Sequence, residues 1–419
     1  MRPLRIAIIS FDPYPHEVRS KRLAEAAADY GAEVDAICLS PGGDERLPEQ
    51  HNGVRIYPLP IVRKPEAPLP WTTMEWLWFT ALAAVKVARL HQTRHYDVIH
   101  VHNMPDFLVF AALVPKLQGA RVILDVQDVS PELMGAKSGK RLRRLLVALA
   151  TVQERASTAF ADQVVTVGWP FERKLLDRSV PAAKLHVIIN SADPHIFPES
   201  RRFAPDDALR PVTPPHTHES PFIVMYWGTV ARRNGLMTAV RALALALPQA
   251  PHMRLDIMAA GRGDEIPQLK RLAQELGVAD SVRITDPVAA EHIIDFIAHG
   301  DVGIIPYAVD GFADLVLPTK AYEMAWLRRP IVASSTPAIC SMFRPESIAL
   351  CQSGDPQSFA DALVDLYHHP DKRKAMVENA AADYEPYRWE RARERYHDLL
   401  AALTEQTPIG KVAVKQMRG

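Results

Sequence analysis

Lys320 and Glu323 stand three residues apart in the run Leu317-Pro-Thr-Lys-Ala-Tyr-Glu-Met-Ala325. Pro318 suits a first helical turn, where its missing N–H costs little. A helix start offers uncommitted backbone N–H groups and positive partial charge, which suits a phosphate. Lys320 adds a point charge for the same anion, and Glu323, about one turn further in, falls on the same side. A carboxylate beside a phosphate can accept from ribose hydroxyls. Together these residues point to a nucleotide diphosphate; the alternative is an ordinary crossover helix with a solvated Lys and Glu. A second anion cradle is offered by Gly228-Thr-Val-Ala-Arg-Arg-Asn-Gly-Leu236, which reads as a loop between a strand and a helix. Gly228, Thr229, Arg232, Arg233 and Gly235 supply backbone approach and positive charge there, unless the segment is a surface turn with solvated arginines.

The first half carries its own polar rim. Val98-Ile-His-Val-His102 reads as a strand with His100 and His102 on one face, and Asp106 follows in the loop. Val122 to Val126 is another strand, ending in Gln127, Asp128 and Glu132. In an open α/β sheet, ligands bind at such carboxyl ends. Asp128 and Ser130 could also cap the next helix. Two histidines at this spacing could hold a metal, but no cysteine lies near and no third ligand is evident, so no metal is assigned.

The elements that must position these residues form two series. Strands at Leu4–Ser10, Glu33–Ser40, Val54–Ile61, Val98–His102, Val122–Val126, Val164–Val167 and His186–Ile189 alternate with helices such as Val18–Tyr30 and Leu108–Leu117. A Pro-, Asp- and Arg-rich stretch from Pro198 to Pro221 has no periodicity and marks a boundary. The pattern then restarts with strands at Phe222–Tyr226, Leu255–Ala260, Val282–Thr285, Val302–Pro306 and Pro330–Ser334, and a turn at Gly261 and Gly263. Strand–helix–strand alternation predicts two tandem Rossmann-like, doubly wound α/β domains facing a cleft. The expected boundaries are 1–195, a linker at 196–221, 222–385, a C-terminal helix at 386–403 crossing back to the first domain, and a basic tail at 404–419.

Composition narrows the function. The 419 residues hold 49 Lys plus Arg against 49 Asp plus Glu, so no net field favours nucleic acid. Three widely spaced cysteines, Cys38, Cys340 and Cys351, fit a reducing compartment rather than a disulfide framework or a zinc site. The first βα turn lacks the glycine fingerprint of dinucleotide-dependent oxidoreductases. The N-terminus reads as a strand rather than a signal peptide. Trp71 to Leu90 contains Glu75, Lys86 and Arg89, against a spanning helix. Its Trp71, Trp76, Trp78 and Phe79 read as the bulky apolar face of a core helix, or as a surface resting on a bilayer. The basic cluster from Lys137 to Arg144 is a solvated face or a contact for anionic headgroups.

The order of Val98-Ile-His-Val-His, Leu124-Asp-Val-Gln-Asp-Val-Ser-Pro-Glu-Leu133, Val187-Ile-Ile-Asn-Ser-Ala-Asp193, Gly228-Thr-Val, Gly235-Leu236 and Leu317–Ala325 resembles bacterial family 4 glycosyltransferases of GT-B architecture. The resemblance implies transfer of a sugar, with retention, from a nucleotide-diphosphate-sugar donor to a glycan or lipid-linked acceptor in envelope or exopolysaccharide synthesis. It implies no cofactor and no metal, since basic side chains and helix N-termini hold the leaving charge. Glu323 would hold the ribose, Arg232 or Arg233 with Lys320 the diphosphate, and Asp314 the donor sugar. His102 and Asp128 would act with Asp314 in catalysis, and Asp106, Gln127 and Glu132 would line the acceptor or sugar side. Partners would be the donor, the acceptor and the membrane periphery, with no nucleic acid; the location would be cytoplasmic, or peripheral on the inner face of the cell membrane.

Three positions depart from the family pattern. A second glutamate is expected eight residues before Glu323, where Leu315 stands, with Asp314 beside it. Gln127 occupies the place of a histidine, and glutamine cannot transfer a proton. Asn234 replaces a lysine before Gly235, leaving the positive charge to Arg232 and Arg233. A nucleotide-sugar epimerase of the same fold, or a catalytically silent scaffold, is the alternative reading.

Overall fold

The computed structural model describes residues 2–42, 47–63, 68–137, 143–203, 216–260, 265–289, 292–308 and 314–404. The turn at Gly261 and Gly263, Lys140 and Arg141 of the basic cluster, residues 309–313 before Asp314, and the tail beyond 404 lie outside them. Met1–Asn190 with Glu390–Gly419 form one unit, and Ser191–Trp389 the other.

The first unit is built on an eight-stranded sheet. Its strands are β1 (Arg5–Ile9), β2 (Glu33–Leu39), β3 (Gln50–His51), β4 (Val54–Leu59), β5 (Val98–His102), β6 (Arg121–Val126), β7 (Gln163–Thr166) and β8 (Leu185–Val187). They lie in the order β3-β4-β2-β1-β5-β6-β7-β8, parallel except for the β3–β4 pair. The apolar runs of the inner strands β1, β2, β5, β6 and β7 are buried on both faces, as parallel sheets require; Ile6, Ala7, Ile8 and Ile9 are at most 1% exposed. The helices are α1 (Val18–Asp29), α2 (Leu69–Arg94), α3 (Leu113–Leu117), α4 (Ser130–Lys137), α5 (Arg143–Phe160) and α6 (Trp169–Asp177). The helix expected from Leu108 begins instead as a tighter 3-10 segment, Asp106–Ala112, common in short connections.

The second unit has six parallel strands: β9 (Phe222–Thr229), β10 (Met253–Ala260), β11 (Val282–Thr285), β12 (Val302–Ile305), β13 (Ile331–Ser334) and β14 (Ala349–Cys351). Their order, β11-β10-β9-β12-β13-β14, is that of a doubly wound nucleotide-binding sheet. Around it lie α7 (Leu236–Ala246), α8 (Ile266–Glu275), α9 (Ile293–Ala298), α10 (Thr319–Trp326), α11 (Pro337–Cys340), α12 (Pro356–His368) and α13 (Pro370–Tyr384). Gly228 and Thr229 belong to β9 rather than to the loop, because they pair with Ala259 and Ala260 of β10. Pro318 takes the extended cap position just before α10 rather than its first turn.

The final helix, α14 (Trp389–Thr404), joins the first unit. Tyr396 Oη lies 2.9 Å from His100 Nδ1, and His397 Nε2 lies 2.8 Å from the Ala26 carbonyl. Among the described residues no helix is long and apolar enough to cross a membrane.

Candidate functional site

In each sheet the strand order reverses direction at one place, where connections diverge and leave a crevice. In the second unit that place lies between β9 and β12. The connection after β9 is one 3-10 turn, Arg232–Asn234, ending at Gly235, which starts α7. Gly235 has φ +69°, and a Cβ there would stand 1.7 Å from the Pro306 carbonyl oxygen at the end of β12. Glycine therefore lets the two connections touch. The Ala308 N–H donates to the Arg233 carbonyl at 3.0 Å, fixing the contact. Asn234 is not an exposed substitute for a phosphate-binding lysine. It is buried, and its Nδ2 donates to Tyr226 Oη at 2.9 Å and to the Thr229 carbonyl, so it braces the turn. Arg232 and Arg233 are exposed on the same turn, and Thr229 is exposed at the strand end.

Helix α10 brings the remaining groups. Gly303 of β12 lets it settle close: a Cβ there would meet Met324 Sδ at 1.8 Å. Lys320 then reaches β9. Its Nζ lies 4.8 Å from the centre of the Tyr226 ring, and a Cβ on Gly228 would lie 3.0 Å from it. Burial lowers the Lys320 pKa from the ordinary lysine value, and Glu323 opposes that shift. Trp227 Nε1 donates to Glu323 Oε2 at 2.8 Å, which fixes the carboxylate at the end of β9. Tyr307, just beyond β12, has its hydroxyl pKa pushed up to about 12 by burial, with the charge of Arg233 pulling the other way. Asp314 is half-buried, and its carbonyl accepts from the Ala338 N–H at 3.1 Å. Gly228, Thr229, Arg232, Arg233, Gly235, Lys320 and Glu323 thus gather where β9 and β12 end. Backbone N–H groups at the start of α7 and the nearby cations suit an anion.

In the first unit the reversal lies between β1 and β5, and a buried polar network occupies its rim. Asp125 of β6 takes a two-point contact from Arg19 of α1, Nε to Oδ2 at 2.7 Å and Nη2 to Oδ1 at 2.9 Å. Arg19 also donates to the Ile188 carbonyl. Although burial opposes it, Arg19 and His102 hold the Asp125 pKa well below the ordinary carboxylate range. His102 Nδ1 lies 3.1 Å from Asp125 Oδ2. An ionised carboxylate there selects the Nδ1–H tautomer and leaves Nε2 as the acceptor. His100 stacks on His102 with centroids 4.6 Å apart, and burial holds its pKa well below 6.5. Ligand atoms of His100, His102 and Asp125 fall within 4.8 Å of one another, giving the third group that spacing alone did not reveal. Both Asp125 oxygens are already engaged by Arg19, so a cation in this trio would meet a guanidinium.

The other first-unit candidates divide into two settings. Gln127 Nε2 lies 3.1 Å from His102 Nδ1, so it touches the network. Asn103 organises the rim: its Oδ1 accepts from the Gln127 N–H, and its Nδ2 donates to Asp106 Oδ1 and the Asp128 carbonyl. Asp106 is fully buried, and burial raises its pKa. Glu132 is held in an ion-pair cluster: both its oxygens accept from Arg178, which also donates to both oxygens of Glu154 at 2.7 Å. Asp12, after β1, pairs with Arg63 at 2.9 Å. Sequence reasoning missed Arg19, Asn103, Asp125 and Tyr396. Only Asp125 carried a signal, a charged residue inside an otherwise apolar strand.

Comparison with known proteins identifies the family and the fold. The family profile described as glycosyl transferase 4-like domain matches residues 16–191, and that of glycosyl transferases group 1 matches residues 221–369. A D-inositol 3-phosphate glycosyltransferase of Acidothermus cellulolyticus is 25% identical, covering 95% of this chain and 91% of its own. Among solved structures, sucrose-phosphate synthase from Thermosynechococcus elongatus aligns over 96% of this chain and 99% of its own, with TM-score 0.73 and 19% identity. HepE of Anabaena in complex with UDP aligns over 95% and 100%, with TM-score 0.70 and 15% identity. Both are similar in fold. The chain belongs to the glycosyltransferases, its first half to the 4-like domain family and its second to group 1.

Proposed function

We propose that this glycosyltransferase binds its nucleotide-diphosphate-sugar donor on the second unit and transfers the sugar with retention to a hydroxyl of a glycan or lipid-linked acceptor, in envelope or exopolysaccharide synthesis. The observation that carries the reading is the meeting of Gly235, Lys320 and Glu323 where β9 and β12 end. Lys320 with Arg232 and Arg233 holds the diphosphate, Glu323 the ribose, and Asp314 the sugar hydroxyls. The bond from the anomeric carbon to the phosphate oxygen breaks. The acceptor oxygen bonds to the same face of that carbon, and its proton passes to the departing phosphate. That route needs no protein base at Gln127, and the cations stabilise the leaving diphosphate without a metal. His102, held by Asp125, and Asp128 are assigned catalytic roles. Asp106 and Glu132, tied to Asn103 and Arg178, act as positioning residues.

The test is a thermal-shift panel of UDP, GDP, ADP and their sugar conjugates on wild type and Glu323→Ala. At about 100 times the dissociation constant the matching nucleotide stabilises by about 2.7 kcal/mol, and the variant loses that shift. No shift for any nucleotide removes the donor site. Turnover is then assayed with a lipid-linked acceptor and with D-inositol 3-phosphate, the substrate in the name of the relative from Acidothermus. Sugar conversion without any acceptor would favour an epimerase.

A further inference from the structure

Helix α2 buries one face through Phe79, Ala83, Val87 and His91. The opposite face is apolar as well. Trp71, Met74, Leu77, Trp78 and Val85 are 49–64% exposed, and their spacing lines them up as one stripe. The core-helix expectation for the tryptophans is thus corrected: Trp71 and Trp78 point outward because Phe79 and Ala83 already fill the inner face. On the following connection Phe110, Leu113, Val114 and Leu117 are exposed, and on α5 Leu145, Leu149 and Val152. These three segments hold twelve of the nineteen exposed large hydrophobic residues among the described residues of the whole chain.

The segments are neighbours. The 3-10 segment packs against both α2 and α5, and α3 packs against α2. Phe110 meets Phe160 edge-on at 5.1 Å. The connections β4 to β5, β5 to β6 and β6 to β7 all advance the same way through the sheet. Right-handed crossovers therefore put all three on one face of it. Among the described residues of these segments the exposed charges are Arg89, Arg143, Arg144 and Arg155. Glu75 is half-buried, and Asp106 and Glu154 are buried, so no carboxylate is exposed there.

A contiguous outward apolar surface of this extent marks a docking face. Its aromatic residues suit the water–lipid boundary, and its purely basic charge suits anionic headgroups. We propose that this face of the first unit docks on the surface of an anionic lipid bilayer, with Trp71 and Trp78 at headgroup level and Arg143 and Arg144 on lipid phosphates. The inference rests on the envelope-side role given above and names the surface that serves it; it does not depend on the transfer chemistry.

Flotation of the full chain with vesicles tests it. The vesicles are phosphatidylcholine alone, or phosphatidylcholine mixed with phosphatidylglycerol and cardiolipin. Wild type floats with the anionic vesicles and is released by salt. Trp71→Glu/Trp78→Glu, and separately Arg143→Glu/Arg144→Glu, lower partitioning by about tenfold or more. Both variants keep the wild-type nucleotide thermal shift, which separates a failure of docking from a failure of the donor site. Absence of flotation overturns the proposal, and so does flotation that neither variant weakens. A concentration-dependent dimer that the tryptophan variant abolishes, with vesicles left untouched, also overturns it and assigns the face to a second copy of the chain.

Discussion

Replacing Gly235 by alanine tests the donor cradle most directly. The new Cβ would lie 1.7 Å from the Pro306 oxygen and 2.8 Å from its carbonyl carbon. A tolerable C···O contact is about 3.3 Å, so the end of β12 must retreat by about 1.5 Å. The left-handed backbone costs alanine about 1–2 kcal/mol, and the forced approach adds about 1–3 kcal/mol. Gly277 separates the two terms. It has the same φ of +69°, with nothing within 4 Å of its would-be Cβ. Gly277→Ala should therefore show the backbone cost alone. Each kcal/mol lowers the melting temperature of a unit this size by about 2–4 °C, so Gly235→Ala should melt at least about 2 °C below Gly277→Ala. It should also lose affinity for the matching nucleotide by about tenfold or more, about 1.4 kcal/mol, while Gly277→Ala binds normally. Calorimetric melting and titration calorimetry on both variants give the readout. Equal melting temperatures together with intact nucleotide binding in Gly235→Ala would refute the cradle.

Three further outcomes follow from the same geometry. Lys320→Met should weaken nucleotide binding by about 1.5–3 kcal/mol; in wild type, affinity should fall as pH rises through the lowered Lys320 pKa, and titrations at a series of alkaline pH values should show that slope vanish in the variant. His100 is held neutral by burial while its unfolded form titrates near 6.5, so stability is lost as pH falls through that value; urea titrations should show wild type losing about 1.4 kcal/mol more than His100→Gln between pH 7.5 and 5.5, and parallel profiles would sink the assignment. Arg19→Met should cost about 3–5 kcal/mol by leaving the buried Asp125 carboxylate without its guanidinium and with His102 alone against it, and adding Asp125→Leu should restore most of it; a double variant no more stable than the single one would show that the pair is not the cause.

The alternation of apolar runs with helical segments was enough to read two α/β units from the chain. Strands buried on both faces must be nearly continuous in Ile, Val, Leu and Ala, and Ile6 to Ile9 or Val302 to Ile305 show it without any knowledge of neighbours. Local chemistry likewise flagged Lys320, Glu323 and the Gly228–Gly235 stretch, because helix starts and glycine turns are local devices. The end of β9 was less legible. Gly228 and Thr229 read as loop, and only pairing with Ala259 and Ala260 draws them into the strand.

What tertiary structure alone decided is which distant groups meet. Arg19 and Asp125 are 106 residues apart, and His100 and Tyr396 are 296 apart, so no spacing rule could join them. Asn234 reads as a missing lysine, yet its burial under Tyr226 makes it a brace. Glu132 reads as a site carboxylate, yet Arg178 takes both its oxygens. Helix α2 carries large apolar residues on two opposite faces, so its sequence does not say which of them is the inner one. Only packing against the sheet determined that Phe79 turns inward while Trp71 and Trp78 face out. Propensity and periodicity act within a turn or two of the chain, whereas ion pairs, buried hydrogen bonds and the side a helix exposes are settled by elements that fold back from far along it.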